Sequence, residues 1–157
     1  MLDEFGKQLN GLLVSTFRNI LRSEEQSIKQ ISGGDVTVAE VHLMEAIAKA
    51  GERGATVTEI AADLGLTSPT VTIGLNRLER KGYVVRERSS HDARVVFAFL
   101  TERGEAMNRT HNIYHEQMIR EVSRSLTPEE RESLIDGIKK INKFFSSALE
   151  GTQTHGL

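Results

Sequence analysis

The sequence predicts a mainly α (α+β) fold, and three observations carry that expectation. Apolar residues recur at helical spacing over long stretches, as at Leu9, Leu13, Phe17, Ile20, Ile28 and Ile31. Thr-x-x-Glu runs at Thr37, Thr56 and Thr127 mark helix starts. In each, the threonine oxygen takes a free helix amide and the glutamate returns to the threonine amide. Only residues 84–88 and 94–100 read as strands, either side of the turn Ser89-Ser90-His91-Asp92-Ala93.

Taken in order, residues 3–31 form one helix, stopped by Ser32-Gly33-Gly34-Asp35. A helix of that length spans about 43 Å, more than a small core can cover, so part of its stripe needs a second subunit. The helix opened at Thr37 runs to about Ala50 and ends at Gly51-Glu52-Arg53-Gly54. The one opened at Thr56 is short and ends at Leu64, where Gly65 supplies a tight turn. Ser68 as N-cap and Pro69 at the first helical position open a third helix, which runs to Lys81 and stops at Gly82. After the two strands, Thr101 starts a helix to about Ser125. The final helix carries the seam Leu134, Ile138, Ile141, Phe145 and Ala148, a coiled-coil-like packing face. Residues 151–157 read as a flexible tail.

Composition excludes several function classes. Cysteine is absent, which removes disulfides, thiolate metal sites and cysteine nucleophiles. Aromatics are only 5%, with no tryptophan, which disfavours a stacking surface for single-stranded nucleic acid. No apolar run nears the ~20 residues of a membrane helix. The start, MLDEFGKQLN, lacks a cationic-then-apolar leader, so a cytoplasmic location is expected. The net charge of −2 argues against a protein that coats DNA through overall charge. The charge is nevertheless polarised. Residues 68–103 carry seven cations and four anions, a local +3, and the rest of the chain holds −5. A polyanion would be drawn to that one region.

The positive region coincides with a recognisable arrangement. A short helix, a glycine turn, a second helix and a β-hairpin make a helix-turn-helix with a wing. In the second helix Val71, Leu75 and Leu78 fall on one face and pack inward. The opposite side carries Thr70, Thr72, Ile73, Asn76, Arg77 and Arg80. Hydroxyls and amides of this kind read base edges, while arginines grip phosphate or guanine. The helix start at Ser68 offers free amides to a phosphate. In the wing, Arg86 and Arg88 alternate on one strand and Arg94 begins the next. Asp92 is placed to hold Arg94 extended toward a minor groove or phosphate. A polar, solvated helical hairpin with a surface ion pair is the plainer alternative.

Residues 55–104 resemble the MarR family of winged-helix regulators. The run Leu78-Glu79-Arg80-Lys81-Gly82-Tyr83-Val84, the wing Asp92-Ala93-Arg94 and Leu100-Thr101-Glu102-Arg103-Gly104 carry the resemblance. The order and lengths of the flanking helices extend it to about residues 3–150. It implies a winged helix-turn-helix lobe at 35–100 and a helical dimerisation region formed by 1–34 and 101–150. It also implies a homodimeric regulator, most often a repressor, on a pseudo-palindromic operator in double-stranded DNA. The helix 69–81 would enter the major groove and the wing, 84–100, would approach the minor groove. By that resemblance Ser68, Thr70, Thr72, Asn76 and Arg77 are groove or phosphate contacts and Arg94 is the wing contact; Arg86 and Arg88 join them as wing cations. Two such helices about 34 Å apart meet successive major grooves.

Four further residues suggest an effector site. His111 and His115 stand four apart on the helix after the wing, with His111 near the middle of an apolar face made by Met107, Tyr114, Met118 and Val122. Glu24 lies within the stripe of the first helix, and His42 is a third imidazole. An i, i+4 histidine pair can grip one metal ion and a carboxylate can complete the donor set. Glu24, His42, His111 and His115 resemble the primary site of the zinc-uptake repressors of the family, which makes zinc a candidate effector. That branch has a second metal site with a cysteine and a glutamate; Gln30 and Val41 stand at those positions here, so no second site is expected. The fatty-acid-synthesis repressors share the run 71–96 more closely, carry a similar set without an established metal role, and respond to acylated carrier protein. The residues alone leave open a metal site, a ligand gate or a hydrogen-bonded structural cluster. An enzyme is not expected: a metal-dependent hydrolase would need an open coordination position and a general base, and there is no HExxH motif. A winged-helix module serving only protein contacts is the other alternative.

Overall fold

The structure is a computed structural model that describes residues 2–153. Its chain divides into two units, one ending at Tyr114 and the other beginning at His115. The first unit begins with α1 (Glu4–Ser32), capped by Asp3 Oδ1, which accepts from the Gly6 amide at 2.7 Å. Next come α2 (Val38–Lys49), a 3-10 turn at Gly51–Arg53, β1 (Ala55–Thr56), α3 (Val57–Leu64) and α4 (Ser68–Arg80). Strands β2 (Val84–Arg88) and β3 (Val96–Leu100) lead into α5 (Glu102–Arg124), which passes from one unit to the other. The second unit is completed by α6 (Pro128–Gln153).

All three threonine boxes form as the sequence implies. Thr37 Oγ1 accepts from the Glu40 amide and Thr56 Oγ1 from the Glu59 amide, with each glutamate returning to the threonine amide. Thr127 and Glu130 repeat the exchange at the start of α6. Such caps contribute about 0.5–2 kcal/mol each.

Several boundaries differ from the sequence reading by a residue, as at α1 and the end of α4, and three differences change what a residue does or how far an element runs. The N-cap of α4 is Thr67, whose hydroxyl accepts from the Thr70 amide, so Ser68 and Pro69 are both inside the first turn. Residues 94 and 95 belong to the turn and not to β3. The Arg94 amide donates to Asp92 Oδ1 at 2.9 Å and the Val95 amide to the Asp92 carbonyl at 2.9 Å, which takes both donors out of the ladder. Helix α6 continues to Gln153, three residues into the expected tail. The rest of that tail, 154–157 with His155, and the side chain of Ala148 lie outside the described residues.

The sheet is antiparallel in the order β1-β3-β2. Its first strand, only Ala55 and Thr56, has no counterpart in the sequence reading, being too short for a period to show; Ala55 pairs with Ala98 and Thr56 with Phe97. Arg86 pairs with Ala98 and Arg88 with Val96 across the wing. The core lies among α2, α3, α4 and this sheet. Val71, Leu75 and Leu78 of α4 are wholly buried against Val41, Met44, Ile47, Ile60 and Val84. Each large side chain so buried contributes about 1.5–3 kcal/mol.

Two glycines permit close packing. Gly65, at φ 64°, closes α3 in the left-handed region and turns the chain into α4. A Cβ on Gly104 would run into the Tyr83 carbonyl oxygen. That closeness fastens the start of α5 to the turn after α4. Thr101 Oγ1 donates to the Gly82 carbonyl at 2.7 Å and Arg103 Nη1 to the Lys81 carbonyl at 2.6 Å. Arg103 also stacks over the Tyr83 ring, 4.3 Å from its centroid, and both residues donate to Asp35 Oδ2 at 2.9 Å. The orientation of α4 is thus fixed from its C-terminal end.

Candidate nucleic-acid interface

The inward face of α4 leaves its other side to solvent. Ser68, Thr70, Ile73, Asn76 and Arg77 are exposed and Thr72 is half-buried. Two hydroxyls are engaged within the helix: Thr72 Oγ1 donates to the Ser68 carbonyl at 2.9 Å, and Thr70 Oγ1 shares a hydrogen bond with Thr67 Oγ1 at 2.8 Å. Thr72 therefore faces outward as an acceptor and a methyl group.

The C-terminal end of α4 is braced from two sides. Lys81 Nζ reaches both oxygens of Glu40, at 2.8 Å each, and so ties the end of α4 to the first turn of α2. Burial raises the Glu40 carboxyl, but the Lys81 ammonium and the Thr37 amide outweigh it and hold the group below the usual carboxylate range. On the other side, Arg86 of the wing crosses to α4. Its Nη2 donates to Asn76 Oδ1 at 2.8 Å, and both Nε and Nη2 donate to Glu79 Oε2. The guanidinium holds the Glu79 carboxyl below its ordinary value. Arg86 and Asn76, both expected to face DNA, are thereby partners of one another. Sequence reasoning missed this pair, and equally Lys81 with Glu40, because each joins separate elements.

At the wing tip Arg94 is 92% exposed along its side chain, while its Nε lies 3.3 Å from Asp92 Oδ1. The aspartate also accepts from the Arg94 amide, so one carboxylate fixes both the backbone and the direction of the arm. Arg88, on the same strand as Arg86, is exposed.

Three of the four effector candidates meet in the first unit. Glu24 Oε1 lies 2.9 Å from His42 Nε2 and 3.2 Å from His111 Nε2. His111 is fully buried and its Nδ1 is 2.9 Å from Glu45 Oε1. Glu45 is a member that sequence reasoning left out; its place three residues after His42 on α2 was the available signal. Burial raises the Glu24 carboxyl, yet the hydrogen bonds of His42 and His111 prevail and lower it. His115 falls one helical turn further along α5, in the second unit. Val41, one of the two positions that lack a second-site ligand, is a wholly buried core residue.

Comparison with known proteins agrees with this architecture. A model of the MarR family matches residues 34–95. The HTH-type transcriptional regulator YkoM of Bacillus subtilis is 37% identical over 83 residues, which is 52% of this chain and about half, 53%, of that relative. The crystal structure of Streptococcus pneumoniae FabT in complex with DNA superposes with a TM-score of 0.85 at 32% identity, covering 90% of this chain and 98% of FabT. AbsC of Streptomyces coelicolor, a MarR family transcriptional regulator, shares the fold with a TM-score of 0.75 at 20% identity, over 94% of this chain and 98% of its own. Among the described residues no helix is long and apolar enough to cross a membrane. A winged helix matched over 98% of FabT at 32% identity, with the family model aligned to residues 34–95, places the chain in the MarR family of transcriptional regulators.

Proposed function

We propose that this chain is a homodimeric repressor that binds a pseudo-palindromic site in double-stranded DNA, with α4 in the major groove and the wing at the minor groove. The observation that carries the reading is the pairing of an exposed polar face on α4 with an arginine-tipped wing, all inside the +3 region. The likeness to FabT, whose structure was determined with DNA, supports it. In this reading Ser68, Thr70 and Arg77 contact phosphate or groove edge, Thr72 and Asn76 read bases, and Arg88 and Arg94 meet the backbone beside the wing. Dimerisation is supported by exposed apolar side chains: Leu13, Phe17, Ile20 and Leu21 on α1, and Ile135, Ile138 and Phe145 on α6. Patches of this kind on a soluble chain mark interfaces, and a second copy supplies the matching face.

Selection from a random duplex pool, followed by fluorescence anisotropy, tests the proposal. The expected result is a two-fold symmetric sequence whose affinity falls steeply with salt, by about 0.9 log units per log unit for each phosphate neutralised. Arg77→Glu is expected to abolish that binding, and a reporter carrying the selected site is expected to fall when the protein is expressed. A protein that selects no duplex at low salt is instead the protein-contact module, and the proposal fails.

A second reading concerns the effector and rests on His111. Its two ring nitrogens each face a carboxylate, Glu45 and Glu24. A cation on the Nε2 side would fit between that nitrogen and the Glu24 carboxylate. A histidine fixed by a carboxylate through Nδ1, with Nε2 turned toward further donors, is the usual setting of a zinc ligand. The nitrogen and oxygen donors of Glu24, His42 and His111 fit zinc, which would supply a positive charge linking α1, α2 and α5; His115 is the remaining candidate ligand. Zinc titration monitored by operator affinity is the test. Stoichiometric zinc that shifts affinity and is lost in His111→Ala supports the reading, and tight zinc without that shift leaves the cluster structural. If zinc does not bind, acylated carrier protein is the effector to titrate next.

A further inference from the structure

The contact between wing and recognition helix bears on which base is read. Asn76 is exposed on the outer side of α4, one turn beyond Thr72 and beside Ile73, which is 53% exposed. A free asparagine in a major groove pairs with adenine through both ends of its carboxamide, the oxygen accepting from N6 and the nitrogen donating to N7. Here the two ends are not equally available. Arg86 Nη2 lies 2.8 Å from Asn76 Oδ1. A guanidinium has only donors, so whichever end of the carboxamide faces it must be the oxygen.

The guanidinium is itself held. Glu79 Oε2 accepts from both Nε and Nη2 of Arg86, on the same helix as Asn76 and three residues on. The base of that clamp is the wing strand, with Arg86 paired opposite Ala98. Charge-assisted hydrogen bonds such as these are about twice as strong as neutral ones. Oδ1 keeps a second lone pair, but an adenine amino group that used it would bring its own donor hydrogens against a fixed cation. The Nδ2 hydrogens face no such competition.

We propose that Arg86 is a specificity-determining residue that acts through Asn76: by holding a cation against Oδ1 it leaves the Nδ2 hydrogens as the favoured reading group, which selects guanine over adenine at the position it faces. Guanine offers two adjacent acceptors in the major groove, O6 and N7, whereas adenine offers N7 beside a donor. The nearby guanidinium adds positive potential that favours the same edge. Arg86 is thus a positioning residue, and its charge serves Asn76 before it serves a phosphate. The inference rests on the placement of α4 in the major groove proposed above.

The test is selection from a random duplex pool with the full-length protein and four variants, each checked for folding by circular dichroism. Asn76→Ala identifies the position, as the one whose preference it erases. The wild type is expected to favour guanine over adenine there by about tenfold. Arg86→Met is expected to bring adenine level with or above guanine at that position alone, and Glu79→Gln, which loosens the clamp without removing the cation, to give an intermediate shift. The proposal is overturned if Arg86→Met keeps the guanine preference, or if the wild type already selects adenine. It is equally overturned if Arg86→Met erases a different position and leaves this one intact, which would return Arg86 to the direct contacts. If Asn76→Ala changes nothing the proposal falls, but a position lost in Ile73→Ala keeps α4 in the groove; a motif indifferent to both variants removes that placement as well.

Discussion

Arg94→Ala isolates what the wing tip contributes. The side chain is 92% exposed and its Nε meets Asp92, another residue of the same turn, so its removal should leave the fold intact. If each guanidinium neutralises one phosphate, a dimer loses two contacts. At about 0.9 log units per phosphate, the slope of log affinity against log salt becomes shallower by about 1.8. Between 50 and 200 mM salt, a change of about 0.6 log units, the ratio of variant to wild-type Kd should then shrink by about twelvefold. Anisotropy with one labelled duplex over a series of salt concentrations measures this directly. Parallel salt plots would refute the phosphate assignment, whatever the loss at a single concentration. Asp92→Ala supplies the contrast. It leaves the charge in place but releases the amide and the arm that Asp92 Oδ1 holds. The expected result is weaker binding with an unchanged slope.

The clamp predicts a pH signature in stability. Glu79 is held below its ordinary value by Arg86, so its contribution is complete above the unfolded-state value near 4.5 and disappears as pH falls through the lowered folded value. Wild type and Glu79→Gln should therefore differ at pH 7, by no more than about 1 kcal/mol for so exposed a pair, and converge in acid; a gap that stays or widens as pH falls would count against the clamp. Gly104→Ala sets a Cβ against the Tyr83 carbonyl, which is backbone and cannot turn aside. Denaturant unfolding should show a loss of about 1–3 kcal/mol, and an unchanged midpoint would refute the close approach. Phe17→Glu combined with Ile138→Glu places charge on the exposed apolar faces of α1 and α6. Sedimentation should change from twice the chain mass to the single-chain mass, and operator affinity should fall with it; a persistent dimer would move the interface elsewhere.

Periodicity and capping make much of this molecule legible from its residues alone. The three threonine boxes, the inward triad Val71, Leu75 and Leu78, and the glycine turn at Gly65 are all local, and each obeys a rule that spans no more than a few residues. The exposed side of α4 follows by subtraction from its buried face. Pairing between elements that lie apart in the chain is a different matter. Asn76 and Arg86 are both polar, one on an exposed helix face and the other half-buried on a strand, and ten residues apart, and nothing in either period says that one meets the other. Glu45 is similar: its helical face is evident, but its partner His111 lies 66 residues away. The first strand escapes for the opposite reason, since two residues carry no period at all. The distinction matters for function, because local rules say which side chains can face a ligand. Only the contacts across elements say which of their atoms are still available when they do. An asparagine with a free carboxamide offers a donor and an acceptor alike; with an arginine from the wing beside its oxygen, as at Asn76, the same letters offer a different balance of the two.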